Sequence, residues 1–469
     1  MIDNSTITAL STAPGVGAIA VIRLSGDRAI EIADKVYHSP NGKKLVKQAP
    51  NTLHFGIIYD SEEPVDEVIV ALFKSPHSYT GENMVEISCH GSVYIQQCIL
   101  ELLISKGARM AQPGEFTLRA FLNGKMDLSQ AEAVADIIAA DSRSFHLVAM
   151  NQMRGGFTAE LKLLRERLIK FASLVELELD FSEEEVEFAD RTQLKELTNE
   201  IESKLAALVQ SFRLGNAIKN GIPVAIAGKT NTGKSTLLNL LLKEDRAIVS
   251  EIEGTTRDSI EDTISIDGIH FRFIDTAGLR HTTDQIEILG IERTYKKISQ
   301  ADIIILLLDP SSGNEEILEP VKNIKRQIKD TGKKLIVVLN KIDLLSEKQI
   351  KSHSEQILRI LNKEEDRLIP LSAAKGINLN LLEKTLKETT EAESIGQNDV
   401  IVTNVRHYEA LKLSHEAILR VKDGLKEHIS EDLLAQDIRE TLHYLGEITG
   451  EITTDEILGN IFKNFCIGK

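Results

Sequence analysis

Cysteine, proline, long apolar runs and positive charge are all scarce in this chain. Only three cysteines, Cys89, Cys98 and Cys466, occur in 469 residues. Three thiols cannot build a disulfide framework, and none shows a C-x-x-C metal spacing, so a reducing, cytoplasmic location is expected. The longest fully apolar runs, Ile303–Leu308 among them, are six residues, against the roughly 18 needed to cross a bilayer, so no membrane span is expected. The opening stretch MIDNSTITALSTAPGVG has neither a basic n-region nor an apolar h-region, and reads as no secretory signal. Lys and Arg total 55 against 71 Asp and Glu, a formal net charge of −16. So acidic a body is a poor general ligand for polyanions, because nucleic-acid affinity rests mainly on neutralising phosphates. Any such contact needs a local patch or a partner.

What is present is ordinary globular composition, 42% hydrophobic and 27% charged, in a length that suggests about three domains. The ten prolines are uneven: residues 114–222 and 371–469 contain none. Long helices fit there, since proline breaks helix interiors. Leu161, Leu164, Leu168, Phe171 and Val175 fall on one helical stripe, as do Leu434, Ile438, Leu442 and Leu445, and Leu194–Phe212 is helix-favouring. Between them, residues 220–384 alternate polar helical segments with short apolar runs at Val224–Ala227, Phe271–Ile274, Ile303–Leu308, Leu335–Leu339 and Leu368–Leu371. That is the pattern of a parallel α/β sheet. Asp267-Gly268 predicts a hairpin turn. Residues 1–124 form a separate mixed unit, with strands expected at Ala18–Leu24, Val68–Phe73 and Met84–Ser88 and a helix at Val93–Lys106.

Gly228-Lys-Thr-Asn-Thr-Gly233-Lys234-Ser235 matches G-x-x-x-x-G-K-[ST] between a strand and a helix-favouring run from Thr236. Loop N–H groups from Asn231 to Thr236, Thr232 and Gly233 included, can wrap phosphate oxygens; Lys234 adds a point charge and Ser235 a hydroxyl for Mg²⁺. Asp275-Thr276-Ala277-Gly278 follows the next strand, where a carboxylate faces Mg²⁺ and an N–H the γ-phosphate. Asn340-Lys341-Ile342-Asp343 follows Leu335–Leu339; its carboxylate can accept from N1–H and N2 of guanine, which adenine cannot match. Ser372-Ala373-Ala374 would complete the pocket with N–H groups toward O6. In this order, after successive strands, these loops predict a GTP-binding domain.

The water-orienting glutamine that follows D-x-x-G in Ras-like enzymes is replaced by Leu279. Glu287, nine residues past Gly278, is the candidate substitute. Asn231 with loop carbonyls from Ser250-Glu251-Ile252-Glu253-Gly254-Thr255-Thr256 could form an all-oxygen cage for a monovalent cation, and Thr256 could ligate Mg²⁺.

These residues, with Gly17-Ala-Ile-Ala-Val-Ile-Arg23-Leu-Ser-Gly26, Ser78-Tyr-Thr-Gly-Glu82, Cys89-His-Gly91, Pro113-Gly-Glu-Phe-Thr-Leu-Arg119-Ala-Phe-Leu-Asn-Gly-Lys125, Gly254-Thr-Thr-Arg-Asp258 and the terminal Cys466-Ile-Gly-Lys469, resemble the tRNA-modification GTPases of the MnmE (TrmE) type along the whole chain. The resemblance implies multidomain α/β plus α: an N-terminal α+β folate-binding-like and dimerisation domain (1–124), a discontinuous helical domain (125–219 and 385–469), and an inserted Ras-like P-loop G domain (220–384). It implies a tetrahydrofolate one-carbon donor, 5-formyl or 5,10-methylene, at Arg23, Glu82, Lys125 and Lys469. It places K⁺ at Asn231, Ser250, Ile252 and Thr255, and the catalytic glutamate at Glu287. It also implies a homodimer and a hetero-oligomer with a flavin-dependent partner, FAD entering only there, which together install a (carboxymethyl)aminomethyl group at C5 of the tRNA wobble uridine. Thr230 and Ser250 depart from the proline and threonine common in the family. A regulatory ribosome-assembly GTPase is the alternative; residues 401–469 offer neither a G-x-x-G loop nor an aromatic platform for RNA.

Overall fold

The computed structural model describes residues 5–180, 191–245, 262–267, 269–274, 298–311, 314–329, 331–362, 365–390, 400–427, 429–463, 465 and 467–468. They fall into two compact units, one of Met1–Ala139, Ala149–Leu205 and Glu409–Lys469, the other of Ala140–Val148 and Ala206–Tyr408.

The first unit is organised by a seven-stranded sheet: β1 (Ile7–Leu10), β2 (Ile19–Ser25), β3 (Tyr37–His38), β4 (Thr52–Asp60), β5 (Glu63–Phe73), β6 (Met84–His90) and β7 (Arg109–Met110). The strand order is β3-β4-β5-β6-β2-β1-β7. Neighbours run antiparallel except β1 and β7. Strand residues alternate between faces, so each register pair shares a side. Ala20, Ile22 and Leu24 sit beside Cys89, Ile87 and Val85 on the inner face, packed on α1 (Ala29–Val36) and α2 (Val93–Ser105). The opposite face keeps Ile19, Leu53, Phe55 and Ile69 open, with Leu53 72% and Ile19 67% exposed.

Helices α3 (Glu115–Leu122), α4 (Leu128–Ala139), α5 (Arg143–Met153), α6 (Gly156–Asp180) and α7 (Arg191–Asn220) follow. In α6, Leu161, Leu164, Leu168 and Val175 are buried as their spacing predicts; Ala172 takes the inward place beside a half-buried Phe171.

The second unit holds a six-stranded sheet: β8 (Ile222–Ala227), β9 (Asp262–Ile266), β10 (Ile269–Phe273), β11 (Ile303–Leu308), β12 (Lys334–Leu339) and β13 (Arg367–Pro370), ordered β13-β12-β11-β8-β10-β9. All pairs are parallel except the β9–β10 hairpin, which turns at Asp267 with φ +50°. Both faces are covered. Ile303, Ile305 and Leu307 join a core with α8 (Lys234–Asp245) on one side. Ile304, Leu306 and Leu308 join a core with α9 (Asn314–Gln327) and α10 (Glu347–Leu358) on the other. Burial on two sides explains the unbroken apolar run at β11.

The chain continues through α11 (Leu379–Glu388), α12 (Val405–Glu427), α13 (Glu431–Thr449) and α14 (Asp455–Phe462). α13 packs on α6. The second unit begins earlier than residue 220 because Leu214 and Ala217 of α7 pack against its core. It also takes in Ala140–Val148, where Phe145 and Val148 pack with Ile218. No helix among the described residues is long and apolar enough to cross a membrane.

Candidate functional site

Three loops meet at the C-terminal ends of β8, β12 and β13. The loop after β8 turns through Asn231 at φ +61° and Gly233 at φ +98° into α8, whose first residues are Lys234 and Ser235. Gly233 has a packing reason as well: a Cβ there would lie 2.3 Å from Asn340 Nδ2. Lys234 Nζ donates back to the carbonyls of Gly228 (2.8 Å) and Lys229 (2.7 Å), and the Thr232 hydroxyl to Lys229 O at 2.9 Å.

Asn340 ties the three loops together. Its buried side chain donates from Nδ2 to Thr232 O at 2.8 Å and accepts from the Ala373 N–H at 2.9 Å. The Ala373 N–H, expected to face guanine O6, is therefore already given to Asn340. Lys341, at φ +59°, extends to Asp309 Oδ2 at 2.5 Å. Burial pushes the Asp309 carboxyl up, but Lys341 and the Ser311 hydroxyl and N–H outweigh it and hold it below the ordinary range. The Ser372 hydroxyl donates to Asp343 Oδ1 at 2.6 Å and, with Lys375 nearby, holds that carboxyl low too. Asp343 is thus an ionised acceptor beside the loop that follows β13.

A second cluster lies in the first unit. Arg23 on β2 pairs with Glu86 on β6, Nη2 to Oε1 at 2.7 Å, and reaches Gly468 O at 3.3 Å. Its guanidinium lies 5.5 Å from the Tyr79 ring centre and 5.7 Å from that of Phe116. Two residues along the same face, the Ser25 hydroxyl donates to Glu82 Oε2 at 2.6 Å. Lys125 Nζ donates to Pro76 O at 3.0 Å, at the base of the loop that carries Glu82. The C-terminal tail is held against β1: Gly468, at φ +97°, has so little space that a Cβ would meet Leu10 O at 2.2 Å, and Ser11 Oγ donates to Gly468 O at 3.2 Å. Arg23, Glu82, Lys125 and the tail that ends in Lys469 are gathered here from four separate parts of the sequence.

The family model described as MnmE helical domain matches residues 128–466, and that described as GTP-binding protein TrmE N-terminus matches residues 6–125. A tRNA modification GTPase MnmE of Bacteroides thetaiotaomicron is 56% identical over 468 residues, covering 100% of both chains. One of Flavobacterium johnsoniae is 53% identical over 475 residues, again covering 100% of both. The chain belongs to the MnmE family of tRNA modification GTPases. The MnmE helical match runs from residue 128 to 466 and so includes the six-stranded sheet as well as the helices around it.

Several MnmE-type positions fall outside the described residues: Ser250–Thr256, Asp275–Gly278, Glu287, Cys466 and Lys469. Among the described residues no group of three or more His, Cys, Asp or Glu could hold a metal ion. Four contributors were missed by motif reading. Glu86 is revealed only by strand pairing, whereas Ser25 had a signal as part of the Gly17–Gly26 motif. Asp309 had a signal, an acid directly after the apolar run of β11. Arg119 had one also, as part of the Pro113–Lys125 motif.

Proposed function

We propose that this protein binds GTP in the β8, β12 and β13 loops and hydrolyses it with Mg²⁺ and K⁺ during modification of the tRNA wobble uridine. The observation that carries the reading is Asn340, whose two buried hydrogen bonds join the phosphate loop to the base loop. Asn231, Thr232, Gly233, Lys234, Ser235 and Thr236 would surround the phosphates, and Lys341, Asp343 and Ser372–Ala374 the guanine. Mg²⁺ would rest on Ser235 and Thr256, and K⁺ on Asn231, Ser250, Ile252 and Thr255, supplying positive charge where negative charge builds between the phosphates. Glu287 would orient the attacking water in place of Leu279. The sequence division at 124, 219 and 384 belongs to the same reading.

Arg23, Glu82, Lys125 and Lys469 would hold a tetrahydrofolate derivative. The donor set supports this: cations for the glutamate carboxylates and an acceptor for pterin N–H groups. Arg23 is already matched by Glu86, so a ligand carboxylate would share it. The open apolar face around Phe55 and Ile69 supports a homodimer through the first sheet, since contiguous exposed apolar surface marks interaction sites. A flavin-dependent partner, cytoplasmic location and tRNA complete the proposal.

Single-turnover GTP hydrolysis in matched KCl and NaCl, with wild type and Glu287→Ala, tests the mechanism. Replacing an orienting group typically costs about 10²–10³ in rate; equal rates in the two salts would remove K⁺. Mass spectrometry of tRNA nucleosides from a strain lacking the protein tests the pathway role.

A further inference from the structure

The Pro113–Lys125 motif contains two buried charges that no function above uses. Glu115 and Arg119 are 5% and 3% exposed. Arg119 Nη1 lies 3.1 Å from both oxygens of Glu82, while Nη2 donates to Glu115 Oε1 at 3.0 Å and to Ser5 O at 2.8 Å. Glu115 is gripped in turn by Arg109, through Nη1 at 2.8 Å and Nη2 at 2.6 Å, and by the Gln112 N–H at 2.9 Å. Burial alone would raise the Glu115 carboxyl, but these donors hold it below its ordinary range. Glu82, at the open end of this chain, is the one acid of the series with an exposed side, 22%.

A carboxylate has about four lone-pair sites. Arg119 takes one on each Glu82 oxygen and Ser25 a second on Oε2, which leaves Oε1 room for one donor from a ligand. Such a buried charge chain is a poor source of net stability, since desolvation offsets most of the attraction. Its effect is on geometry: the Glu82 carboxylate has a single orientation, set from behind.

We propose that Arg119 is a positioning residue for the ligand of Glu82, fixing that carboxylate so that its free Oε1 site accepts an N–H of a pterin ring. The inference rests on the folate reading given above. Arg119 touches no ligand; it acts through Glu82, and Arg109 and Glu115 hold Arg119.

The experiment is a double-mutant cycle on binding of 5-formyltetrahydrofolate to the full-length protein, measured by calorimetry. Removing a hydrogen bond to a charged group costs enough to weaken binding about 10- to 100-fold, so Arg119→Gln and Glu82→Gln should each do so. Residues acting as one unit are non-additive; the double variant should therefore be only about two- to threefold weaker than Glu82→Gln alone. A purely structural role for Arg119 would give additive losses, and that result overturns the proposal. Arg119→Lys keeps a cation in the buried chain and guards against misfolding of the glutamine variant; its loss should likewise vanish in the Glu82→Gln background. Wild-type protein that does not bind 5-formyltetrahydrofolate overturns the folate reading and this inference together, whereas wild-type binding with additive losses overturns the inference alone.

Discussion

The two sheets of this molecule reach function by opposite routes. The central strands of the parallel sheet, β8, β11 and β12, are buried on both faces and carry no exposed side chains for chemistry. The sheet's candidate site is made by loops at the strand ends, where contiguous residues such as Gly228–Ser235 and Asn340–Asp343 lie together because they are neighbours in sequence. The antiparallel sheet is buried along the whole of one face, whereas its other face is open around Leu53, Phe55 and Ile69 and covered by Phe116 of α3 at the β1 end. Its candidate site lies at that covered end and is assembled from side chains on β2, β6, a loop, the end of α3 and the C-terminal tail. A site built from contiguous loops keeps its spelling; one built across strands has none.

That contrast can be broken or sharpened by substitution. The largest effect should come from Asp343→Asn, because a site built to accept two N–H donors then presents a donor instead. GTP affinity should fall by about 10³-fold or more, with preference moving to xanthosine nucleotides, as measured in a nucleotide competition assay. Wild-type binding of ATP alongside GTP would remove the base-site assignment. Next, Ile305→Ala opens a cavity in a strand buried on both sides and should cost about 2–5 kcal/mol in denaturant unfolding. Removing the last four residues should weaken 5-formyltetrahydrofolate binding about tenfold or more by calorimetry, while leaving GTP affinity unchanged because the two sites lie in different units. Unchanged folate affinity would take the tail out of the site. The smallest effect on protomer stability should be that of Phe55→Ser, within about 0.5 kcal/mol by denaturant titration, since the side chain is already open to solvent. The same variant should weaken self-association in sedimentation; an unchanged dimer would separate the apolar face from dimerisation.

The candidate GTP-binding loops and the parallel sheet were legible because their signals are local. A strand buried on both sides must be an apolar run, a phosphate loop must carry glycine where Asn340 approaches, and a hairpin of this twist accepts Asp-Gly. Long helices were legible for a related reason: proline cannot occupy their interiors, and a 3.6-residue stripe shows which side is buried. The half-buried Phe171 and inward Ala172 mark the limit of that rule, since packing on α13 chooses the rotation of the stripe.

Other features needed the tertiary structure. Nothing in the local sequence pairs Arg23 with Glu86, since β2 and β6 lie more than sixty positions apart and only their antiparallel register makes the two side chains neighbours. Nothing local shows that Asn340 spends its amide on Thr232 and Ala373 rather than on a base, or that Arg119 ends against Glu82. By itself the sequence determined where phosphate and guanine chemistry could occur, because that chemistry uses backbone groups and short spacings within single loops. Only the fold decided which charges neutralise one another and which remain turned outward, because that depends on distances between residues remote in the chain.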